Sequence, residues 1–329
     1  MIDFGKVVIT HAIYKWSSFY GLIQINKRNV STKCNADGVL IKEVFEMDNS
    51  LKFIIRYNED NTIKRVEMQI SFHKYFAQGY NYNDYTFSQL CRTIITLSTA
   101  YGFNLSKAII QNIEIGANIL LNTSVDSFIS GLYFYNATPF NVMKNSFRTP
   151  VGIEATLSDY TVKAYNKRTQ LLSRIDIGRE CLRYELHFNK MRKVNACGVY
   201  SLADLLEYQN IYKLAELLCN SLDGLIHYSS EYKSQCNTTN EKQLLNDWSN
   251  PKNIMKLSKE QPQKYRRQRR LFKQLSQRND TSVLPMVKRN KALVLPTVQR
   301  LIKRKANNLL TIDSTTMKEV NYYKAVIMK

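Results

Sequence analysis

The chain has 329 residues with only 11 Gly and 6 Pro, so it can bury one large core or two medium ones and is not a low-complexity sequence. Its formal net charge of +20 indicates a polyanionic partner. No charged-then-apolar leader begins it and no apolar run approaches about eighteen residues, which argues against secretion and membrane spanning. Its six cysteines show no CxxC spacing, which argues against a zinc site and predicts reduced thiols in a cytoplasmic protein.

Five short segments near the start of the chain are rich in β-branched and aromatic residues and are separated by polar turns. This composition predicts the strands of an antiparallel sheet, arranged as a meander. The predicted strands are 6–14, 19–26, 39–47, 51–57 and 64–72.

An aromatic and amide-rich loop follows the last of these strands, where His73 and Lys74 stand. Its sequence, YFAQGYNYNDY, contains Tyr80, Tyr82 and Tyr85. These rings either stack on unpaired bases of a nucleic acid or are buried under an ordinary surface loop.

The next segments predict a helix, a strand and a second helix. Thr86 is a plausible N-cap for an amphipathic helix with apolar residues at helical spacing, and 124–134 predicts another helix. The strand at 109–119 places Glu114 among isoleucines. A carboxylate there is costly unless it is paired or bound to a cation, so Glu114 is either a salt-bridged structural residue or a metal ligand.

Two strand-like runs, within 159–188, place one tyrosine among cations. Period-two alternation puts the polar residues of each run on one face, and antiparallel pairing would join the two faces into one patch. The patch would hold Lys163, Tyr165, Lys167, Arg183, Glu185 and His187. A phenol has a reference pKa of about 10 and becomes a nucleophile with the help of cations or a metal ion. The alternative is a solvated strand face.

The last third of the chain is predicted to be helical. Leucines at helical spacing cover 201–228, and 229–242 is a polar linker. The composition thus predicts an α+β protein: a domain at 1–190 with an antiparallel sheet covered by helices, a helical extension and linker at 191–240, and a basic helical region at 241–329.

The positive charge is concentrated in this basic region. Residues 251–310 carry 17 Lys and Arg against 2 acidic residues, whereas 1–120 carry 13 against 10. Pro285 and Pro296 would break the region into short helices. A basic run that only served solubility would contain more acidic residues than these two. We therefore expect a set of basic side chains in this region to contact DNA. They are Lys264, Arg266, Arg267, Arg269, Arg270, Lys288, Arg289, Lys303, Arg304 and Lys305.

The motifs around Tyr165 resemble those of a known family. VKAYNKR followed by ECLRYELHF is similar to the Tyr-x-Lys segment and the following Arg-x-Glu strand of rolling-circle replication initiators, the Rep proteins of filamentous phages (gene II protein) and staphylococcal plasmids. The order of the strand, the QGYN loop at 78–81, the long helix and the IEIG strand is also similar, so the resemblance covers roughly 40–190. It implies a Rep nuclease-like fold.

The resemblance also implies an activity. Tyr165 would cut one DNA strand, with Lys167 and Arg183 assisting, in metal-dependent nicking and joining through a 5′-phosphotyrosyl intermediate. The wider class binds its ion through a His-hydrophobic-His pair, which this chain lacks. The expected ligands of Mg²⁺ or Mn²⁺ are therefore Glu114 and Glu185, with His73 and His187 next.

The implied partners are a replication origin, as a hairpin or partly single-stranded DNA, and a host helicase and DNA polymerase. A helicase partner is expected because the chain has no Gly-rich Lys-Ser/Thr motif of its own. Two other classes stay open: a non-enzymatic DNA- or RNA-binding regulator, and a tyrosine recombinase, against which the β-rich first half argues.

Overall fold

The computed structural model describes residues 2–10, 16–121, 123–145, 148–172, 175–228, 232–233, 236–277 and 295–326. These residues form an α+β protein with a large antiparallel sheet and helices, as the sequence predicts. None of the described helices is long and apolar enough to cross a membrane.

The elements are named here in chain order. The first nine are β1 (Ile2–Ile9), α1 (Trp16–Asn26), β2 (Asn29–Cys34), β3 (Leu40–Glu46), β4 (Leu51–Tyr57), β5 (Ile63–Ser71), α2 (Phe72–Phe76), α3 (Phe87–Tyr101) and β6 (Ala108–Leu121). The next eight are α4 (Val125–Ser130), β7 (Leu132–Tyr135), β8 (Thr138–Pro139), β9 (Asn141–Lys144), β10 (Pro150–Thr156), β11 (Tyr160–Asn166), α5 (Lys167–Leu171) and β12 (Glu180–Phe188). The last eight are α6 (Arg192–Asn195), α7 (Tyr208–Ser221), β13 (Leu225–His227), α8 (Thr239–Trp248), α9 (Pro251–Glu260), α10 (Pro262–Gln277), α11 (Leu295–Leu309) and α12 (Ser314–Val326).

The chain divides into two compact units, and the division falls within β6, β12, α7 and α11. Unit 1 comprises Met1–Gly116, Leu186–Leu217 and Ala306–Lys329. Unit 2 comprises Ala117–Glu185 and Leu218–Lys305. Each unit is therefore built from separate stretches of the sequence.

Unit 1 is a sheet with helices packed on one face. Its strand order is β2-β3-β4-β5-β1-β6, and β2 to β5 form a meander of antiparallel neighbours. Phe53 on β4 lies in edge contact with Phe19 of α1, at 5.5 Å between ring centroids, and 4.9 Å from Tyr101 of α3. Alternation along the strands puts these apolar side chains toward the helices.

Helix α3 begins where the sequence predicts. The Thr86 hydroxyl accepts from the Gln89 amide, and Gln89 Oε1 accepts from the Thr86 backbone N–H at 2.8 Å, forming a capping box. The helix ends at Gly102, whose φ of 65° favours glycine. The C-terminal α12 packs against α3, where Ser98 and Tyr323 share a buried hydrogen bond.

Unit 2 combines a sheet with a helical module. Its strand order is β6-β12-β11-β10-β9, and β13-β7-β8 form a second sheet. Helices α8, α9 and α10 close over an aromatic core in which Trp248 stacks on Phe272 at 4.7 Å and on Tyr265 at 6.0 Å. The basic helix α10 is thus part of a folded core.

Several predicted elements differ from the structure. The segment 19–26, predicted as a strand, belongs to helix α1, because Phe19 and Ile23 lie four residues apart and bury the same side. Strand β1 spans Ile2–Ile9 and so begins before the predicted 6–14, of which 11–14 lie outside the described residues. The predicted helices at 124–134 and 201–228 are shorter, and their ends form the strands β7 and β13, which pair with each other.

Candidate active site

Tyr165 lies near the end of β11 and is 4% exposed. Lys163 precedes it on the same face of the strand. Lys167, expected on that face too, is instead the first residue of α5, because the Asn166 side chain accepts from the Arg168 backbone N–H at 3.1 Å and starts the helix. The Lys167 ammonium nevertheless lies 5.6 Å from the centroid of the Tyr165 ring, where it makes a cation–π contact.

Glu185 on β12 is the centre of a buried cluster. Its Oε2 accepts from the Tyr165 hydroxyl at 3.2 Å and from Arg183 Nε at 2.8 Å. Its Oε1 pairs with Lys163 Nζ at 3.3 Å. We call Lys163, Tyr165, Lys167, Arg183 and Glu185 the tyrosine cluster. Two members of the predicted patch are placed differently: His187 pairs with Glu114 outside this cluster, and Lys167 belongs to α5 rather than to the strand.

Further contacts hold the cations in place. Arg183, 3% exposed, donates from Nη1 to Asn118 Oδ1 at 3.3 Å. Lys167, 2% exposed, donates to Gln170 Oε1 at 2.8 Å. Lys163 is the most exposed cation, with a side chain 19% accessible. Lys163 is therefore the member of the cluster that an anion from solvent meets first.

The charges of the tyrosine cluster suit an anionic substrate. Arg183 and Lys163 contact the carboxylate of Glu185, and Lys167 contacts the ring of Tyr165, so the cluster contains three cations and one carboxylate. Nearby cations favour a phenolate and a bound phosphate. The hydrogen bond from Tyr165 to Glu185 gives the phenol proton an acceptor within reach. The arrangement can therefore support attack by the tyrosine oxygen on a phosphodiester.

Gly152 is a site residue that sequence reasoning missed. It pairs with Tyr165 across β10 and β11, and a Cβ at this position would overlap Tyr165 Cβ and lie 2.5 Å from the Ala164 carbonyl oxygen. A glycine inside a strand often marks such a close approach, and this signal was present in the VGIEATLS segment.

A second polar group lies in unit 1, where His187 on β12 meets Glu114 on β6. His187 Nδ1 is 2.7 Å from Glu114 Oε1, and Asn112 Nδ2 is 3.0 Å from His187 Nε2. Since an amide N–H₂ can only donate, Nε2 is the acceptor and Nδ1 carries the hydrogen that Glu114 accepts. The Glu114 carboxylate on Nδ1 therefore fixes the tautomer and orientation of the imidazole, and the Asn112 amide occupies its other nitrogen.

The four expected metal ligands do not form one cluster within a unit. Within the described ranges, no three His, Cys, Asp or Glu side chains are grouped so that they could hold a metal ion. Glu114 and His187 pair in unit 1, and Glu185 is surrounded by cations in unit 2. His73, 3% exposed, stacks on Tyr85 at 4.9 Å.

No protein-family model matches this chain, and no curated protein matches it.

The expected DNA contacts on α10 fall into two groups. The side chains of Lys264, Arg266, Arg267 and Arg270 are exposed, as an electrostatic contact requires. Arg269 instead donates to Asn136 Oδ1 at 2.8 Å and to the Asp223 carbonyl at 3.0 Å, which fixes the helix to the rest of unit 2.

The remaining expected contacts follow α10 in the chain. Lys303 and Arg304 are exposed on α11, and Lys305 is half-buried. Lys288, Arg289 and Pro285 lie outside the described residues.

The aromatic loop is partly exposed. Tyr80 is 42% exposed and lies 6.1 Å from Tyr82, ring to ring, whereas Tyr85 is buried and its hydroxyl donates to Thr93 at 2.8 Å. Tyr85 therefore has a structural position, and Tyr80 is the ring that unpaired bases can reach.

Proposed function

We propose that this protein is a replication initiation protein of a phage, plasmid or mobile element. It would nick one DNA strand at an origin and rejoin it in rolling-circle replication, with Tyr165 as nucleophile and a divalent metal ion as cofactor. The observation that carries this proposal is the hydrogen bond from the Tyr165 hydroxyl to Glu185 within a group of three cations.

The chemistry follows from these contacts. The Tyr165 oxygen attacks the phosphorus, and its proton passes to Glu185 Oε2. The bond from phosphorus to the 3′ oxygen breaks, and that oxygen takes a proton from water and leaves as a free 3′-hydroxyl. The products are a 5′-phosphotyrosyl bond and a primer end for a polymerase. Attack by a 3′-hydroxyl on the phosphotyrosyl bond reverses the reaction and rejoins the strand.

The cations have separate tasks in this reaction. Lys163, the most exposed, meets the incoming phosphate. Lys167, over the ring, stabilises negative charge on the phenol oxygen. Arg183 holds Glu185 through a 2.8 Å hydrogen bond and keeps the proton acceptor in place, so it acts as a positioning residue.

The metal ion would be Mg²⁺ or Mn²⁺, held by the carboxylate of Glu114, which His187 Nδ1 would keep oriented while Asn112 donates to His187 Nε2. Glu114 and His187 form a polar group with Asn112. The side chain of His187 is 23% exposed and that of Glu114 is 15% exposed. Such a set fits an ion that keeps several waters and uses few protein ligands. When bound, the ion would neutralise charge on phosphate oxygens.

A second candidate is a nucleic-acid-binding regulator without enzymatic activity. It is favoured by burial: Tyr165, Lys167, Arg183 and Glu185 are each 4% exposed or less. In that case the tyrosine cluster joins β11 and β12, and a phosphodiester never reaches the phenol. Both candidates need DNA contacts, so only the covalent step separates them.

The test is capture of the covalent intermediate. Full-length protein with Mg²⁺ or Mn²⁺ is mixed with a pool of DNA hairpins of randomised sequence, labelled at either the 3′ or the 5′ end. We expect a band on a denaturing gel that carries the 3′ label, because a 5′-phosphotyrosyl bond retains the downstream fragment. A protein-bound 5′ label, or the absence of any adduct, contradicts the proposal.

Tyr165→Phe should abolish the adduct without unfolding the protein. The matched control is Tyr160→Phe, which removes another buried hydroxyl from β11, one that shares a 3.1 Å hydrogen bond with Tyr135. The control should form the adduct as the native protein does. Equal adduct from both variants would mean that another residue is the nucleophile and would refute the role of Tyr165, whereas no adduct even from the native protein favours the regulator.

A further inference from the structure

A row of four cations crosses the sheet of unit 1. Antiparallel pairing sets Lys33 on β2 opposite Lys42 on β3, Lys42 opposite Arg56 on β4, and Arg56 opposite Arg65 on β5. Residues directly opposite each other share a face of the sheet. We call these four residues the cation row.

The cation row lies on the face away from the helices. Phe45 and Phe53 alternate with the row residues along β3 and β4 and contact α1 and α3 on the other side. Lys33 is exposed, and the side chains of Arg56 and Arg65 are 42% and 38% exposed.

The charge of the row is only partly neutralised. Arg56 and Arg65 approach Glu67 at 3.4 and 3.0 Å, but Glu67 also pairs with Lys6 at 3.0 Å. Within the part of the chain that the structure describes, no carboxylate pairs with Lys33 or Lys42. Like charges directly opposite each other in a sheet destabilise the folded state. Binding of an anion along the row would offset this loss of stability.

The spacing of the row suits a linear polyanion. Neighbouring strands lie about 4.8 Å apart, so four cations span about 14 Å in a line perpendicular to the strands. A membrane surface would call for exposed apolar side chains beside the cations, and none of the exposed large hydrophobic residues lies in the row or next to it on this face, among the described residues.

The neighbouring positions favour duplex over single-stranded DNA. Sites for single strands combine cations with aromatic rings on which bases stack. The next row on this face consists of Ser31, Val44, Ile54, Glu67 and Val8, without a ring. Contacts made by such a surface go to the phosphate backbone, which positions a duplex without reading its sequence.

We propose that the cation row of unit 1 binds the phosphate backbone of duplex DNA, as a site additional to the basic helices α10 and α11. The inference extends the proposed function by locating a second contact for DNA. It does not depend on the chemistry of Tyr165.

The test is the salt dependence of duplex binding by the full-length protein in a chelating buffer, where metal-dependent cleavage is absent. Lys33→Gln with Lys42→Gln should make the slope of log affinity against log salt less steep by about 1.8, since each phosphate contact contributes about 0.9. The control is Lys27→Gln with Lys318→Gln, which removes two exposed lysines of unit 1 from outside the row. The control should leave the slope unchanged to within about 0.4, well below the effect of two lost contacts.

The outcomes separate this inference from the proposed function. An unchanged salt slope for the row variant overturns the inference. So does a loss of affinity that is seen only for single-stranded DNA or for anionic lipid vesicles. An adduct at Tyr165 with an unchanged slope refutes the row alone. A changed slope without any adduct supports the row and refutes the nicking proposal. A melting temperature no lower than that of the native protein shows that the row variant is folded.

Discussion

Replacing Glu185 with Gln tests how strongly the tyrosine cluster holds unit 2 together. The change keeps the shape of the side chain and removes the charge that Arg183 and Lys163 face. Breaking a buried pair by altering one partner costs about 3–5 kcal/mol, because the other charge stays buried. Arg183 is 3% exposed, so this range applies to it. The pair with Lys163, whose side chain is 19% accessible, adds at most about 1 kcal/mol.

The assay is urea-induced unfolding at neutral pH, followed by circular dichroism. Glu185→Gln should lower the free energy of unfolding by about 3–5 kcal/mol. Lys163→Gln is the matched control on the same carboxylate and should cost about 1 kcal/mol or less. The reasoning is refuted if the two substitutions destabilise equally. A double variant, Arg183→Met with Glu185→Leu, should cost less than the two single changes together, because the buried guanidinium is removed together with its carboxylate.

Three further predictions concern other parts of unit 2. Arg269→Gln should cost about 1.5–3 kcal/mol in thermal unfolding through its lost charged hydrogen bonds, whereas exposed Arg266→Gln should leave stability within about 0.5 kcal/mol and reduce the salt slope of duplex binding by about 0.9. Burial lowers the pKa of His227 from 6.5 to about 4, so the unfolded chain binds the proton more readily between these values. Stability should therefore fall by up to about 1.4 kcal/mol per pH unit as pH drops through that window, and in His227→Gln this dependence should be lost from the melting curves. Gly152→Ala should cost about 1–3 kcal/mol in the same assay, because the added Cβ meets Tyr165 across the strand pair; a neutral effect would mean that the strands can separate freely.

Local signals were enough to locate the tyrosine cluster. The alternation in ECLRYELHF puts Arg183 and Glu185 on one face of β12, and the structure brings both to Tyr165. The end of β11 was not predictable in the same way. Asn166 caps a helix there, and an Asn side chain is compatible with both a strand and a cap until its neighbours are known.

The contacts of the two strand carboxylates could not be predicted from the sequence pattern. Glu114 and Glu185 were expected to hold an ion because the chain lacks a His-hydrophobic-His pair and oxygen ligands suit Mg²⁺ or Mn²⁺. Glu185 is instead surrounded by Arg183 and Lys163, while Glu114 orients His187. Which basic group a strand carboxylate meets depends on the pairing register, and one residue of register shift would move each of them to the other face.

The cation row, which is the proposed duplex contact, shows the same dependence on register. Residues 1–120 carry 13 basic and 10 acidic residues, so counting charge along the chain indicated nothing there. Lys33, Lys42, Arg56 and Arg65 become neighbours only when two hairpins and the strand pair between them set them opposite one another. Glu43, adjacent to Lys42 in sequence, points to the other face, where tyrosine hydroxyls donate to it. Because a sheet can sort its acids and bases onto opposite faces, a nearly neutral segment can still present a basic surface to a nucleic acid.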